Sequence, residues 1–485
     1  MMSAPFYYRI TPEVPPSYYD KLFDFIYSQY LLGQKQRFTN IVRETTSQGE
    51  KLSYVVMDAQ GKQSLIVEVK GGTPFELMIT PIESAGSQTA VEEAKQDVLI
   101  AMQIFSANAR SATVYFAWRE GEEIVPEKYT KPEKSFNRFF LETQILFFVV
   151  FIVFGTAIFI GITIAAPSAF WIAPLILIGI QFFFVFYSNN FIARSADWKI
   201  TEANPIIHFL EYYLPVSAKG DFNKTYPRET LIAIKKEIYD EIIIKRGEVD
   251  AVSAQQIFLK HGVPCELENL KAKKINVYQL VKNVADRFRF PMPKIVVSNT
   301  MVPNAAASGP SPSRGLVLIT TGLMVQLDEE EITSVLGHEF GHLRGRDPLI
   351  LYGLVSAEFL FRFYVLLPLF PLLFSSFLFF AYFWAVMVVI FFIAKFFEAR
   401  ADLVSAIMIG TPDVLAGSLE KIGFQRLLYE RTPSFRIQEW LGLDPHPPIY
   451  FRVDRLENLG PKKINHPLIQ SIKDVVKGFF ATLKS

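Results

Sequence analysis

Two histidines one helical turn apart, His338 and His342, flank Glu339 in the run HEFGH, and these side-chain types at this spacing suit metal-assisted hydrolysis. Residues at i and i+4 share a helix face, so both imidazoles can reach one zinc ion at ~2.0–2.1 Å. Glu339 stands beside them, near enough to take a proton from water on the metal. The chain holds six histidines, and two of them have this spacing. Two unrelated histidines on a surface helix would give the same five letters. A second polar pair, Glu398 and Asp402, lies at i and i+4 in FFEARADLVSA. If the apolar stretch between the two motifs folds back on itself, Glu398 becomes the third ligand that hydrolytic zinc sites need. Asp402, one turn on, is then placed to accept the N–H of His338 and fix its tautomer. Salt bridging with Arg400 or Lys395 is the alternative for both acids. Farther on, PHPPIYFRVDRL offers His446 and Arg452 as donors for an oxyanion, although a solvent-facing turn reads the same way.

The elements that must position these residues follow from capping and hydropathy. Asp328 with Glu331 three residues later is a capping-box pattern that opens the HEFGH helix. That helix runs into Pro348–Ala394, 47 residues carrying only Glu358 and Arg362 as ionisable groups. An earlier stretch, between Glu142 and Arg194, has none in 51 residues. A helix needs ~20 residues to cross the hydrocarbon core. Breaks at Pro167-Ser168 and at Pro368 with Pro371 divide the two stretches into spans near 143–165, 170–193, 348–369 and 373–394. The expected class is therefore a mainly α integral membrane protein with four transmembrane helices in two hairpins. Lys128, Lys131, Lys134, Arg138, Arg194, Lys199, Arg344, Arg346, Lys395 and Arg400 flank the spans, and the inter-helix turns carry no positive charge. This bias places the soluble parts and the active site in the cytoplasm of a multi-pass cell-membrane protein.

Composition agrees. Half of the 485 residues are hydrophobic, 45 are Phe, and the mean hydropathy is positive, too apolar for an ordinary soluble chain. Charge is balanced at +1, which gives no support for a nucleic-acid partner. The single cysteine, Cys265, rules out an internal disulfide framework and suits a reducing compartment. The opening MMSAPFYYRITPEVPP lacks the basic patch and apolar run of a signal peptide.

The soluble parts read as follows. Residues 1–130 form an α+β domain, regulatory or substrate-recruiting, with LSYVVM and SLIVEV as a hairpin around DAQG, FELMIT as a third strand, and a helix near 88–108. The strand SATVYFAW closes that unit. Residues 143–193 are the first transmembrane hairpin, 200–347 the first catalytic part, 348–394 the second hairpin, and 395–485 the second catalytic part. Within the catalytic part, PKIVVS and GLVLIT are strands around a Gly/Pro/Ser-rich loop. Asp58, Glu68 and Lys70 loosely match a nuclease pattern, but a turn aspartate and a solvated strand face explain them. Glu358 and Arg362, i and i+4 inside a span, read first as a structural ion pair and second as the lining of a polar cavity. His208, His261 and His466 read as surface or helix-end residues.

HEFGH, then a transmembrane hairpin, then EARAD, then HPPIYFR resembles the HtpX-like membrane zinc metalloproteases, gluzincins related to the CAAX prenyl protease. The resemblance covers roughly residues 140–460. It implies a zincin-like α+β catalytic domain and one zinc ion per chain on His338, His342 and Glu398, with Glu339 as base. It makes His446 and Arg452 contacts to the transition state or substrate. In the family an Asn-Ala segment forms an edge strand for extended substrate, a role that falls here on Asn304 and Ala305. The large N-terminal region departs from the HtpX type, and four spans argue against a wide prenyl-peptide chamber. The implied function is endopeptidase cleavage of membrane or misfolded proteins, a quality-control role, with the lipid bilayer as surroundings. A CAAX-type or other processing protease, or a non-catalytic membrane adaptor, are the alternatives.

Overall fold

Alternating small turns and β-branched residues in the first hundred positions give strands, and the long Phe-rich runs later give helices. In the computed structural model the described residues are 4–46, 49–58, 60–72, 74–82, 88–121, 155, 157–215, 218–374, 377–460 and 464–484. The chain divides into two units, 1–118 with 208–274, and 119–207 with 275–485.

The first unit holds a five-stranded antiparallel sheet of β1 (Phe6–Ile10), β2 (Phe38–Thr46), β3 (Gly49–Met57), β4 (Gln63–Lys70) and β5 (Phe75–Pro81), in the order β1-β5-β4-β3-β2. Period-two patterning buries Leu65, Val67 and Val69 of β4 with Leu77 and Ile79 of β5. Helix α1 (Tyr19–Phe25) sends Phe23 onto Phe75, and α2 (Gln88–Ala112) presents Asp97 to Arg37 at 2.9 Å. In the β3–β4 turn, Asp58 Oδ1 accepts from the N–H groups of Gln60 and Lys62, and Glu68 pairs across the sheet with Lys51 at 2.6 Å. These contacts give the nuclease-like acids structural partners.

The strand expected to close this unit pairs outside the five-stranded sheet. β6 (Val114–Arg119) joins β8 (Ile206–Tyr212) and β9 (Leu270–Asn276) in a separate three-stranded sheet, covered by α4 (Arg228–Ile238) and α5 (Ala251–Lys260). Residues 208–274, expected with the catalytic part, therefore pack with 1–118. The cause is an aromatic core in which Phe116 stacks on Trp118 and meets Phe258 edge-on, while Trp118 Nε1 donates to the Lys235 carbonyl at 3.0 Å.

In the second unit, β7 (Trp198–Ile200), β10 (Lys294–Ser298), β11 (Ala305–Ser308) and β12 (Leu316–Thr320) form a sheet in the order β11-β12-β10-β7. β10 and β12 are parallel, and β11 lies antiparallel to β12 at the edge. Its helices are α3 (Ala173–Ser195), α6 (Val277–Phe288), α7 (Glu329–Gly345), α8 (Asp347–Phe361), α9 (Leu378–Ile409), α10 (Pro412–Glu430), α11 (Pro433–Leu441), α12 (Ile449–Glu457) and α13 (Pro467–Thr482).

Three segments among the described residues are long and apolar enough to cross a membrane: Ala173–Arg194, Asp347–Leu369 and Leu378–Ile409. Of the expected first span, residues 143–154 and 156 lie outside the described residues, and 157–165 are helical. Glu358 and Arg362 form an ion pair at 2.9 Å, and Tyr382 of α9 donates to the same carboxylate at 2.9 Å. The pair thus fastens α8 to α9. At 32 residues, α9 is about 48 Å long, beyond the ~30 Å hydrocarbon core, and it carries Glu398 and Asp402 in its C-terminal half.

Candidate metal centre

The site begins with the start of α7. Asp328 Oδ1 accepts the N–H of Glu331, and Glu331 Oε2 accepts the N–H of Asp328, closing the capping box that sets the helix register. Gly337 and Gly341, one turn apart, then face α9. A Cβ at Gly341 would stand 3.0 Å from Ala401 Cα, and one at Gly337 would stand 2.5 Å from Ile409 Cγ1. Only glycine at both places lets the two helices approach this closely. Their approach brings the α9 carboxylate to the α7 imidazoles.

His338 Nε2 and His342 Nε2 are 3.1 Å apart. Glu398 offers Oε2 at 3.4 Å to the first and Oε1 at 3.4 Å to the second. Ligands at ~2.0–2.1 Å in a tetrahedron stand about 3.3 Å from one another, so the three side chains are spaced to hold one ion. Glu398 Oε2 is also buried and makes no hydrogen bond, an orphaned acceptor that a cation would satisfy. Electrostatics point the same way. Burial pushes the His338 imidazole down, yet Asp402 and Glu398 outweigh it and raise its pKa to about 10. Burial likewise lowers His342, while Glu398 and Asp347 raise it above the ordinary histidine value. The pocket favours positive charge at both rings, which is the environment a dication needs.

Behind each ring is a carboxylate held by an arginine. His338 Nδ1 lies 2.8 Å from Asp402 Oδ1, and Arg452 donates to both Asp402 oxygens, through Nε at 2.8 Å and Nη2 at 2.7 Å. His342 Nδ1 lies 2.8 Å from Asp347 Oδ2, and Arg400 Nη2 meets the two Asp347 oxygens at 2.6 and 2.5 Å. Arg452 is therefore placed differently from the sequence-based expectation. Its guanidinium is buried and directed at Asp402, so it positions an acid instead of facing a substrate. Asp347 is absent from that expectation. Its signal was the acid in RGRDP directly after HEFGH, brought round by Arg346 in the left-handed region at φ 55°.

His446 lies at the open side of the group. Its Nε2 is 3.5 Å from Glu398 Oε2, and its Nδ1 is 2.8 Å from Asp444 Oδ1. Asp444 Oδ1 also accepts the His446 backbone N–H at 2.8 Å, and Arg426 reaches Oδ2 at 3.2 Å. Asp444 too was missed, although it stands two residues before the histidine in LDPHPP.

Edge strand β11 closes the other side. The Ala307 N–H donates to Glu339 Oε2 at 2.9 Å, so the carboxylate beside the metal group touches the strand directly. Asn304 is joined to Thr320 twice through its backbone: its N–H donates to Thr320 Oγ1 at 2.8 Å and its carbonyl accepts from the Thr320 N–H at 3.0 Å. Ala305 pairs with Ile319 in the ladder. The remaining histidines are apart from this site. His261 caps the end of α5, 2.8 Å from Glu237, and His466 precedes α13. His208 is fully buried in β8, not at the surface, because it sits in a strand covered on both faces.

Residues 271–460 match Peptidase family M48. "Protease HtpX homolog" of Thermodesulfovibrio yellowstonii is 37% identical over 97 residues, 19% of this chain and 34% of that protein. "Protease HtpX homolog" of Desulforapulum autotrophicum is 30% identical over 227 residues, 38% of this chain and 68% of that protein. Among solved structures, Ste24p of S. mikatae is similar over 50% of this chain and 64% of that one, at 15% identity and a TM-score of 0.31. Residues 271–460 hold HEFGH, EARAD and HPPIYFR in order, and the alignment with the second relative covers 68% of that protein: the chain belongs to peptidase family M48, among the HtpX homologues.

Proposed function

We propose that the chain is a zinc-dependent membrane endopeptidase that cleaves membrane or misfolded proteins at the cytoplasmic face. The observation that carries this reading is the spacing of His338, His342 and Glu398, whose ligand atoms all lie within 4.8 Å of one another beside Glu339. Zinc held by these three side chains would polarise a scissile carbonyl and lower the pKa of water from ~15.7 toward ~7.

The chain's own residues supply the rest. Glu339 receives a proton at its carboxylate and returns it to the leaving amine. Asp402 and Asp347 keep each imidazole's Nδ1 paired, so that Nε2 of both rings remains a donor atom for the metal. His446, with its Nδ1 held on Asp444, turns Nε2 toward the metal group and from there donates to a developing oxyanion. Strand β11 is the edge of its sheet, where an extended peptide adds as a further strand, without its sequence being read, by taking the place of Glu339 on the Ala307 N–H. Such backbone recognition fits a protease acting on many unfolded chains. The basic residues around the spans support the cytoplasmic placement.

The test is cleavage of casein and of a membrane-protein substrate by purified, detergent-solubilised protein. Glu339→Gln is expected to lower the rate by about 10²–10⁴-fold while elemental analysis still finds zinc. Cleavage that survives both Glu339→Gln and a chelator would overturn the reading.

A further inference from the structure

Helix α13 has two faces, and only one is used inside the protein. Ser471, Val475, Phe479 and Thr482, spaced by four, four and three residues, turn inward. Phe479 meets Phe392 of α9 at 5.4 Å and Trp440 at 6.1 Å, and Trp440 Nε1 donates to Thr482 Oγ1 at 3.0 Å. A Cβ at Gly478 would stand 2.6 Å from Phe451, so the helix is seated as closely as its backbone allows. The other face carries Ile469, Ile472, Val476, Phe480 and Leu483, again at helical spacing. Ile469, Phe480 and Leu483 are 52%, 55% and 48% exposed. Lys473, Lys477 and Lys484 flank this stripe and are exposed. The one acid of the helix, Asp474, is paired with Arg455 at 2.8 Å.

Two anchor points fix how α13 runs. Arg455 ties the carbonyl of Ala399 to Ser471 Oγ, and eight residues farther along α13 Phe479 meets Phe392, seven residues back along α9. These intervals are about 12 and 11 Å, so the two helices lie side by side and antiparallel. Residues 363–394 contain no Asp, Glu, Lys, Arg or His, and Phe392 is three residues inside Lys395. Going toward its C-terminal end, α13 therefore runs from the level of Ala399, next to the ligand Glu398, to that of Phe392 in the apolar part of α9.

We propose that the C-terminal half of α13 is inserted into the bilayer leaflet on the side of the metal group. Phe480 and Leu483 lie among acyl chains there, and Lys473, Lys477 and Lys484 reach up to anionic headgroups. Long lysine stems allow this, and a basic amphipathic helix penetrates ~5–10 Å into the headgroup–acyl boundary. The occupant of the stripe is lipid because α13 packs along α9, a helix apolar enough to cross a membrane whose Trp384 and Val389 are exposed, and because its flanking charge is positive. The helix would then set the height of the metal group above the bilayer, since the same helix pair, α9 and α13, connects the two.

The test uses the full chain in a Cys265→Ala background, reconstituted in phosphatidylcholine vesicles with and without phosphatidylglycerol. Single cysteines at Ile469, Ile472, Phe480 and Leu483 carry an environment-sensitive dye, and a label at Asn458 serves as the aqueous control. Emission should shift to the blue, and quenching by brominated lipid should increase, from 469 through 472 to 480 and 483, with 458 unaffected. Lys473→Glu with Lys477→Glu and Lys484→Glu should reduce quenching at 480 in the phosphatidylglycerol vesicles and leave it unchanged in phosphatidylcholine alone. Labels that stay aqueous at all four positions would overturn the proposal. So would labels at 480 shielded from lipid but cross-linking between copies, which would assign the stripe to self-association. Where a labelled variant does not fold, Gln470 or Ala481 provides a neighbouring position with the same expected depth.

Discussion

Behind His338 stands Asp402, on another helix and 64 residues later in the chain; behind His342 stands Asp347, five residues along the same stretch. Both carboxylates lie 2.8 Å from an imidazole Nδ1, and both are held by an arginine. The construction differs. Asp402 is fixed by two separate nitrogens of Arg452, a residue of α12, and both partners are buried. Asp347 is held by a single nitrogen of Arg400, which also donates to the Gly341 carbonyl at 3.3 Å, so that relay depends on the α7–α8 turn and on α9 together. One relay joins distant segments through a planar two-point contact, and the other is local and bears on one atom. Two rings that share Glu398 are thus oriented by supports of unequal rigidity.

The largest effect expected within this arrangement is on the shared carboxylate. Glu398→Ala removes a ligand outright, so zinc content by elemental analysis should fall by more than the about 100-fold that marks the upper end for an outer partner. Retention of stoichiometric zinc would remove Glu398 from the ligand set and leave the comparison between relays without its common point. Next is Arg452→Met. It leaves Asp402 charged and buried with no guanidinium, which should cost about 3–5 kcal/mol in unfolding of the detergent-solubilised protein. Asp402→Leu added to Arg452→Met should recover most of that loss. Failure to recover would mean that the packing of Arg452, not its charge, is what the fold uses. Smaller still is the direct contrast of Asp402→Asn with Asp347→Asn. Each should weaken zinc binding by about 10–100-fold, and the loss for Asp402 should be the larger because its relay has no slack. Equal losses, or the reverse order, would break the comparison.

The sequence carried the parts of this site that follow a helical repeat. His338, His342, Glu398 and Asp402 all come in i, i+4 pairs, and the long apolar segment between them demanded a hairpin that returns one pair to the other. Asp347 and Asp444 follow no repeat. One is delivered by a left-handed residue at a helix end and the other by a proline-rich turn, and neither geometry has a period to read. Arg452 was legible as a cation near the site, but nothing in its spacing says whether it faces the metal side or the back of an acid. In the first unit, the DAQG hairpin was plain from its turn. The strand at 114–119 was recognised as a strand but its pairing was not, since a partner almost a hundred residues away leaves no local mark. β1 and β2 were not recognised at all: the alternation of FYYRI and FTNIVRETT is broken by polar residues on faces that remain partly open. The outer stripe of α13 was written in the sequence at helical spacing, yet without a structure its apolar residues cannot be divided between a protein core and a lipid face.

The third Asp–His pair, Asp444 with His446, sharpens the comparison from its weak end. It has the same 2.8 Å Nδ1 contact as the other two, but both side chains are about 40% open to solvent. A carboxylate in that setting is worth about 0–1 kcal/mol to the fold, because water and salt screen it. Asp444→Asn should therefore leave zinc content and unfolding unchanged, unlike Asp402→Asn and Asp347→Asn. Its effect should instead fall on turnover, through a His446 ring less firmly aimed. The expected outcome is a lower kcat with KM for casein unaltered, and His446→Ala should lower kcat further without releasing zinc. Loss of zinc from Asp444→Asn would show that His446 takes part in holding the metal, and the distinction between two buried relays and one exposed pair would give way to three supports of a single kind.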